Sequence, residues 1–341
     1  MKALITGGCG FIGSHVVRAF LDDGWTVTNL DKLTYAANPS NLESVAGHPG
    51  YTFVQGDLCD PELLRELVSG SDLVLNFAAE THVDRSLLDP AVFARTDVEG
   101  VVCLLEAIRA DGRAALVHMS TDEVFGALPA PIEADEDQPF APGSPYSASK
   151  AAAELMIRAY CETYGLPVTV LRACNVFGPN QHLEKFIPLF ITRALAGEEM
   201  PLYGDGLQER EWLQVADLVA AIRLVTKSLP GTGLVKFNVG SGQRMPNIEV
   251  ARRICELTER PFELIRPVLD RPGHDRRYAL NSSKIRGLGW TPTVGIEEGL
   301  SAAVEWYRQR RDSSGEPDPG FARYFREQYG GRLGQPSEER Q

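Results

Sequence analysis

The chain has 341 residues, enough for two domains or for one large domain with a lobe. A composition that is 43% hydrophobic and 23% charged is that of a globular protein, and it excludes wholesale disorder, collagen and a disulfide scaffold. The net charge of −12 disfavours nucleic acid and anionic membrane surfaces as partners, while local basic residues still allow an anionic small molecule.

The apolar run after Lys2 is far too short for a signal peptide, and no stretch approaches the ~18 apolar residues of a membrane span. Strands are predicted at 2–6, 26–31, 51–55, 72–77, 114–119 and 168–172. Helices are predicted at 11–22, 61–69, 91–110 and 146–164. Unalternated apolar strands separated by helices predict a parallel sheet buried on both faces, hence a doubly wound α/β domain with ligands at the carboxyl ends of the strands. Past residue 172 the pattern loosens. Helices are expected at 185–196, 215–228, 247–258 and 295–310, turns at 201–206, and a strand at 234–242 that ends in a glycine turn. This predicts a smaller α/β lobe interleaved with the first domain. From Asp312 the chain turns polar and is expected to be partly disordered, with Phe321, Tyr324, Phe325 and Tyr329 available to dock a segment of it.

Cys9, Cys59, Cys103, Cys161, Cys174 and Cys255 form no CxxC pair and no Cys/His cluster with zinc spacing. Reduced thiols, no metal site and a cytoplasmic location are therefore expected.

Strand 2–6 runs into Gly7-Gly8-Cys9-Gly10-Phe11-Ile12-Gly13. Gly7, Gly10 and Gly13 let backbone approach a pyrophosphate at the start of the next helix. The pattern alone is weak, but its setting is strand, loop, helix, then a second strand ending in Asp31. A carboxylate there accepts hydrogen bonds from ribose hydroxyls and repels a 2′-phosphate, which favours NAD over NADP. Asp57 and the run Phe77-Ala78-Ala79-Glu80 follow further strands and suit the same ligand, though either also fits a plain strand terminus.

Tyr146 and Lys150 are four residues apart at the start of a helix and share a face. An ammonium beside the phenol, with the positive nicotinamide of NAD, favours the phenolate, which can take a hydroxyl proton while hydride leaves the same carbon. These features together resemble the extended short-chain dehydrogenase/reductase family over about residues 1–310. The resemblance implies a Rossmann-type NAD domain at 1–171 plus about 212–242, a nucleotide-sugar lobe at about 172–211 plus 243–311, and a polar tail at 312–341. It also implies Tyr146 and Lys150 as catalytic residues and a homodimer formed through helices 91–110 and 146–164.

Strand 114–119 leads into Ser120-Thr121-Asp122-Glu123. Adjacent carboxyls raise one another's proton affinity, so one can stay protonated while the other is ionised, as elimination of water requires. The triplet alone fits a turn cap equally well. With AAETHVDRS (78–86), YSASK (146–150), HLEKFIP (182–188), PLYGDGLQEREWL (201–213) and RPGHDRRYAL (271–280), it resembles the dTDP-glucose 4,6-dehydratases of that family. The resemblance implies that Tyr146 takes the O4 proton with Thr121 bonded nearby, that Glu123 takes the C5 proton, and that Asp122 protonates O6. Related epimerases share the framework but lack the Asp-Glu pair.

For NAD the resemblance further implies Lys32, Thr34, Leu58, Thr96 and Val176. For the nucleotide-sugar it implies Thr81, Thr121, Asn175, Lys185, Phe186, Pro201, Leu202, Tyr203, Arg210, Asn238, Arg271 and His274. Arg210 and Arg271 suit a diphosphate, and Tyr203 suits stacking on a pyrimidine. Phe125, Val176 and Glu211 depart from the family pattern, which leaves base and sugar open. The alternatives are a C4 epimerase or UDP-glucuronate decarboxylase on the same fold and, from another class, a non-catalytic NAD-binding scaffold.

Overall fold

The structure is a computed structural model that describes residues 1–314, 319–331 and 333. Strand β1 (Lys2–Thr6) enters α1 (Phe11–Asp22) through the glycine loop. The alternation continues with β2 (Thr26–Asp31), β3 (Tyr51–Gln55), α2 (Pro61–Val68), β4 (Leu73–Asn76), α3 (Val83–Leu88), α4 (Pro90–Phe93), α5 (Gly100–Asp111), β5 (Ala115–Thr121), α6 (Pro145–Tyr164) and β6 (Val168–Ala173). There follow β7 (Asn175–Phe177), α7 (Phe186–Ala196), β8 (Met200–Tyr203), β9 (Glu209–Gln214), α8 (Val215–Thr226), β10 (Leu234–Val239), β11 (Arg244–Pro246) and α9 (Asn247–Thr258). Last come β12 (Ile265–Val268), α10 (Ser283–Arg286), α11 (Ile296–Ser314) and α12 (Pro319–Tyr329).

The main sheet has the order β10-β6-β5-β4-β1-β2-β3, with every neighbour parallel. From β1 the chain winds outward to β3, then restarts at β4 and winds the other way. The reversal between β1 and β4 opens a crevice at their carboxyl ends. All residues of β4, β5 and β6 are buried, because apolar clusters cover both faces of the sheet. One face packs on α1 and α8 and the other on α5 and α6, as right-handed crossovers require. A third cluster, built from α7, α9, α11 and the aromatics of α12, forms the core of the lobe. The lobe carries two small sheets, β11-β9-β7 and β12-β8.

Several expectations are corrected. The single helix at 91–110 is instead α4, a π-helical turn over Ala94–Glu99, and α5. The wider turn directs Asp97 inward, where it accepts hydrogen bonds from Glu80 N at 2.9 Å and Ser149 Oγ at 2.7 Å. The turn expected from 201 begins only at Gly204, because Pro201–Tyr203 pair with β12. Strand β5 runs on to Thr121 in register with β6. The aromatics expected to dock a segment of the polar tail do so, since α12 buries Phe321, Tyr324 and Tyr329, while α11 carries the chain helically to Ser314. The rest of that tail (315–318, 332 and 334–341) lies outside the described residues. Among the described residues no helix is long and apolar enough to cross a membrane, no His/Cys/Asp/Glu group can hold a metal, and the six cysteines form no disulfide.

Candidate active site

At Gly7 the chain leaves β1 with φ +69°, and a Cβ there would lie 2.6 Å from Ala78 N. A Cβ on Gly13 would lie 2.2 Å from Gly7 O, so loop and helix interlock only with glycine at both positions. Helix α1 is capped by Gly10, which has no side-chain acceptor, so its first N–H groups and dipole are left for an anion. Gly10, Phe11, Ile12 and Gly13 line a cavity of about 270 Å³. Asp31, buried at the end of β2, accepts from Cys9 N at 2.9 Å and Leu33 N at 2.8 Å. Burial pushes its carboxyl up, and those two bonds pull the other way. Lys32 pairs with Asp57 at 2.6 Å, and both line the cavity with Thr34 and Leu58. Ala78, Ala79, Glu80, Thr96 and Val176 lie on it as well. An open helix N-terminus, a buried carboxylate one strand away and an apolar wall are the set that a dinucleotide needs, so the residues present fit one.

The catalytic end of the cavity depends on the start of α6. Ser144 caps the helix, accepting from Ser147 N at 3.1 Å while Ser147 Oγ accepts from Ser144 N at 3.0 Å. Pro145 then sets Tyr146 and Lys150 on one inward face. Lys150 Nζ donates to Met119 O at 2.8 Å. Burial pulls its pKa down, and the charges of Asp97 and Glu154 push it back up. Burial also drives Asp97 up to about 6, against the pull of Lys150 and Ser149. The phenol of Tyr146 lines the cavity together with Thr121, whose hydroxyl pulls the phenol's pKa down. Burial, reinforced by Glu123 and Asp97, keeps this phenol protonated far above its ordinary range. The Lys150 ammonium, one helical turn from the phenol, is anchored on the Met119 carbonyl, and the charges of Glu123, Asp97 and Asp122 act on Tyr146.

Thr121 ends β5 and caps the short 3-10 turn Asp122–Phe125, accepting from Glu123 N at 3.3 Å and bonding Asp122 Oδ1 at 3.2 Å. Asp122 is buried with no partner on Oδ2, and burial together with the charges of Glu123 and Glu211 pushes its pKa well up. Burial raises Glu123 too, but Arg271, Arg210 and Lys185 oppose that rise. Burial raises both carboxyls while their charged neighbours differ, an arrangement that suits an acid and a base working together.

A second cavity of about 140 Å³ shares Thr81, Glu123, Asn175 and Lys185 with the first. It adds Phe186, Pro201, Leu202, Tyr203, Arg210, Arg271 and His274. Burial, offset by Glu123, leaves Lys185 at about 8. Arg271 pairs with Asp84 at 3.3 Å, yet its buried Nε has no partner. Among the described residues Arg210 donates only to the Glu209 and Asp275 carbonyls. His274 is held by Asp270 at 2.6 Å. Asn238 is corrected: it lines neither cavity, because its amide donates to Ala134 O at 2.8 Å inside the sheet. Asn247 lines the second cavity instead, with a buried Oδ1 that lacks a partner. At the start of a helix it reads in the sequence as an ordinary cap. Asp97, Asp84 and Tyr329 also escaped the sequence reading; the aromatic spacing of the tail was the one signal for Tyr329.

The sequence profile of the family described as GDP-mannose 4,6 dehydratase matches residues 4–303. A dTDP-glucose 4,6-dehydratase of Streptomyces niveus is 45% identical over 318 residues, 91% of this chain and 94% of that protein. DesIV, a dTDP-glucose 4,6-dehydratase from Streptomyces venezuelae solved with NAD and TYD bound, superposes with TM-score 0.88 at 43% identity, covering 92% of this chain and 98% of that one. A UDP-glucose 4-epimerase of Thermus thermophilus, solved with NAD, is 34% identical with TM-score 0.83, covering 90% and 99%.

Proposed function

The chain belongs to the GDP-mannose 4,6 dehydratase family, and on that premise we propose that it is a dTDP-glucose 4,6-dehydratase, an NAD-dependent hydro-lyase. It oxidises the sugar at C4, expels water across C5 and C6 and reduces C6, giving the dTDP-4-keto-6-deoxy-hexose. The observation that carries this reading is the adjacent pair Asp122 and Glu123, which lines the first cavity together with Thr121, Tyr146 and Lys150.

Gly7, Gly10 to Gly13, Asp31, Asp57 and Ala78 hold NAD, which when bound supplies a hydride acceptor, later a donor, and a positive ring charge. Tyr146 takes the O4 proton once cations offset the carboxylates around it, and Lys150 supplies one of those cations. The C4 ketone acidifies C5–H. Glu123, where three cations oppose the effect of burial, removes that proton, and Asp122 delivers its own proton to O6 so that water leaves; as C6 is reduced, the proton held by Glu123 returns to C5. Thr121 orients Asp122 and acts on the phenol. Arg210 and Arg271 bind the diphosphate.

The proposal also includes the division into a Rossmann domain (1–171 plus about 212–242) and a nucleotide-sugar lobe (about 172–211 plus 243–311). Support comes from β10, which joins the main sheet after the chain has visited the lobe. A homodimer through α5 and α6 is included as well, supported by Leu155 and Tyr164, exposed on α6. Light scattering tests it. A cytoplasmic location fits the unpaired cysteines.

The test of function is incubation with dTDP-glucose and UDP-glucose. A product lighter by one water, with no accumulation of NADH, is expected from dTDP-glucose. Intact mass for every nucleotide hexose contradicts the reading.

A further inference from the structure

Helix α12 lies beyond residues 4–303, the span the family profile matches, yet it is built into the second cavity. Tyr329 is 3% exposed and lines that cavity with Tyr203, their rings 5.8 Å apart. The Tyr203 hydroxyl is a junction. It donates to Asp84 Oδ2 at 2.9 Å and accepts from Gln328 Nε2 at 2.8 Å, with the Tyr329 ring packed beside it. Asp84 in turn pairs with Arg271, so a line of polar contacts runs from α12 to the guanidinium whose Nε lacks a partner.

The helix is held firmly. Tyr324 reaches His82 Nε2 at 3.3 Å, the Arg193 guanidinium lies 3.9 Å from the centre of the Phe325 ring, and Phe321, Tyr324 and Tyr329 belong to the core of the lobe. The contents of the second cavity have an order. Glu123 and Lys185 are shared with the catalytic end, Arg210 and Arg271 bring positive charge, and Tyr203 and Tyr329 bring flat aromatic surface. A ligand with its sugar at Glu123 therefore has its diphosphate at the arginines and its base against the tyrosines.

We propose that α12 is part of the nucleotide site: Tyr329 walls the base end, and Gln328, through Tyr203 and Asp84, fixes Arg271 for the diphosphate. The inference rests on the nucleotide-sugar reading above. Its ligand is the nucleoside diphosphate portion of the substrate, and Tyr329 is a specificity residue rather than part of the acid–base chemistry.

The test is calorimetric titration of dTDP into the NAD-loaded full chain, with kcat and KM for dTDP-glucose, for the wild type, Tyr329→Ala, Tyr329→Phe and Gln328→Ala. Tyr329→Ala is expected to weaken dTDP binding and raise KM about tenfold. The two milder variants each cost about two- to threefold, and kcat and bound NAD stay within about twofold of the wild type. Unchanged dTDP affinity in a folded Tyr329→Ala overturns the proposal. A fall in kcat and melting temperature at constant KM also overturns it, because that pattern marks a purely structural helix. If Tyr329→Ala does not fold, the milder variants decide on the same measurements. A wild type that binds neither dTDP nor UDP defeats the nucleotide-sugar reading itself, whereas tight wild-type binding that no variant alters defeats only the role of α12.

Discussion

Asp122 and Glu123 are neighbours in the chain that burial raises alike but whose charged neighbours differ. Glu123 and Glu211 add to the effect of burial on Asp122, with Arg210 opposing, while Arg271, Arg210 and Lys185 temper the effect of burial on Glu123. As pH falls, Glu123 takes up a proton and the base is lost. As pH rises, Asp122 ionises and the acid is lost. The profile of kcat against pH is therefore bell-shaped, with Glu123 setting the acid limb and Asp122 the alkaline limb. Each of Glu123→Gln and Asp122→Asn lowers kcat by ~10²–10⁴ and flattens its own limb, measured by product formation across the pH range.

Tyr146→Phe separates chemistry from binding. The phenol lines the cavity with Thr121 and packs edge-on against Phe93, with ring centres 6.3 Å apart. Removing the hydroxyl leaves that packing in place, so bound NAD and melting temperature are retained while turnover falls by ~10²–10⁴. Single-turnover assays and released-NAD analysis check this.

Arg172 is the stability counterpart. It is 2% exposed and grips Glu154 with bonds of 2.7–3.0 Å, while Ser120 Oγ donates to the same carboxylate. Arg172→Met strands a buried carboxylate and costs about 3–5 kcal/mol. Denaturant unfolding of the NAD-free protein reads this directly.

The main sheet is legible in the sequence because β4, β5 and β6 lie under helices on both faces and so read as plain apolar runs. The glycine loop and the Tyr-Lys spacing are legible because a pyrophosphate and a helical face each impose a local pattern. The small strands of the lobe are not. Strands β7, β8, β11 and β12 have three or four residues each, and their partners are distant in sequence. Asn238 and Asn247 show how side-chain fate depends on packing. Asn238 ends an apolar run and donates its amide to the Ala134 carbonyl, whereas Asn247, at the start of α9, lines the second cavity. Asp97 lies within a stretch of helical periodicity, and only its bonds to Glu80 and Ser149 reveal the wider turn. The Asp-Glu pair stands out in the sequence, but the difference in its charged surroundings does not. Glu211 and Arg210 come from β9, and Arg271 comes from a separate segment.

Gly13→Ala tests the dinucleotide cradle. The new Cβ would meet Gly7 O at 2.2 Å, backbone that cannot swing aside. The loop must open, costing about 1–3 kcal/mol and bound NAD with it. The purified variant is expected to carry little cofactor by absorbance and to regain activity only with added NAD.

The central claim is met most directly by deuterium placed at C4 of dTDP-glucose. The account predicts a product one water lighter that keeps the deuterium, now on C6, with no NADH released. A product of unchanged mass inverted at C4, or one that has lost its label to free NADH, contradicts it.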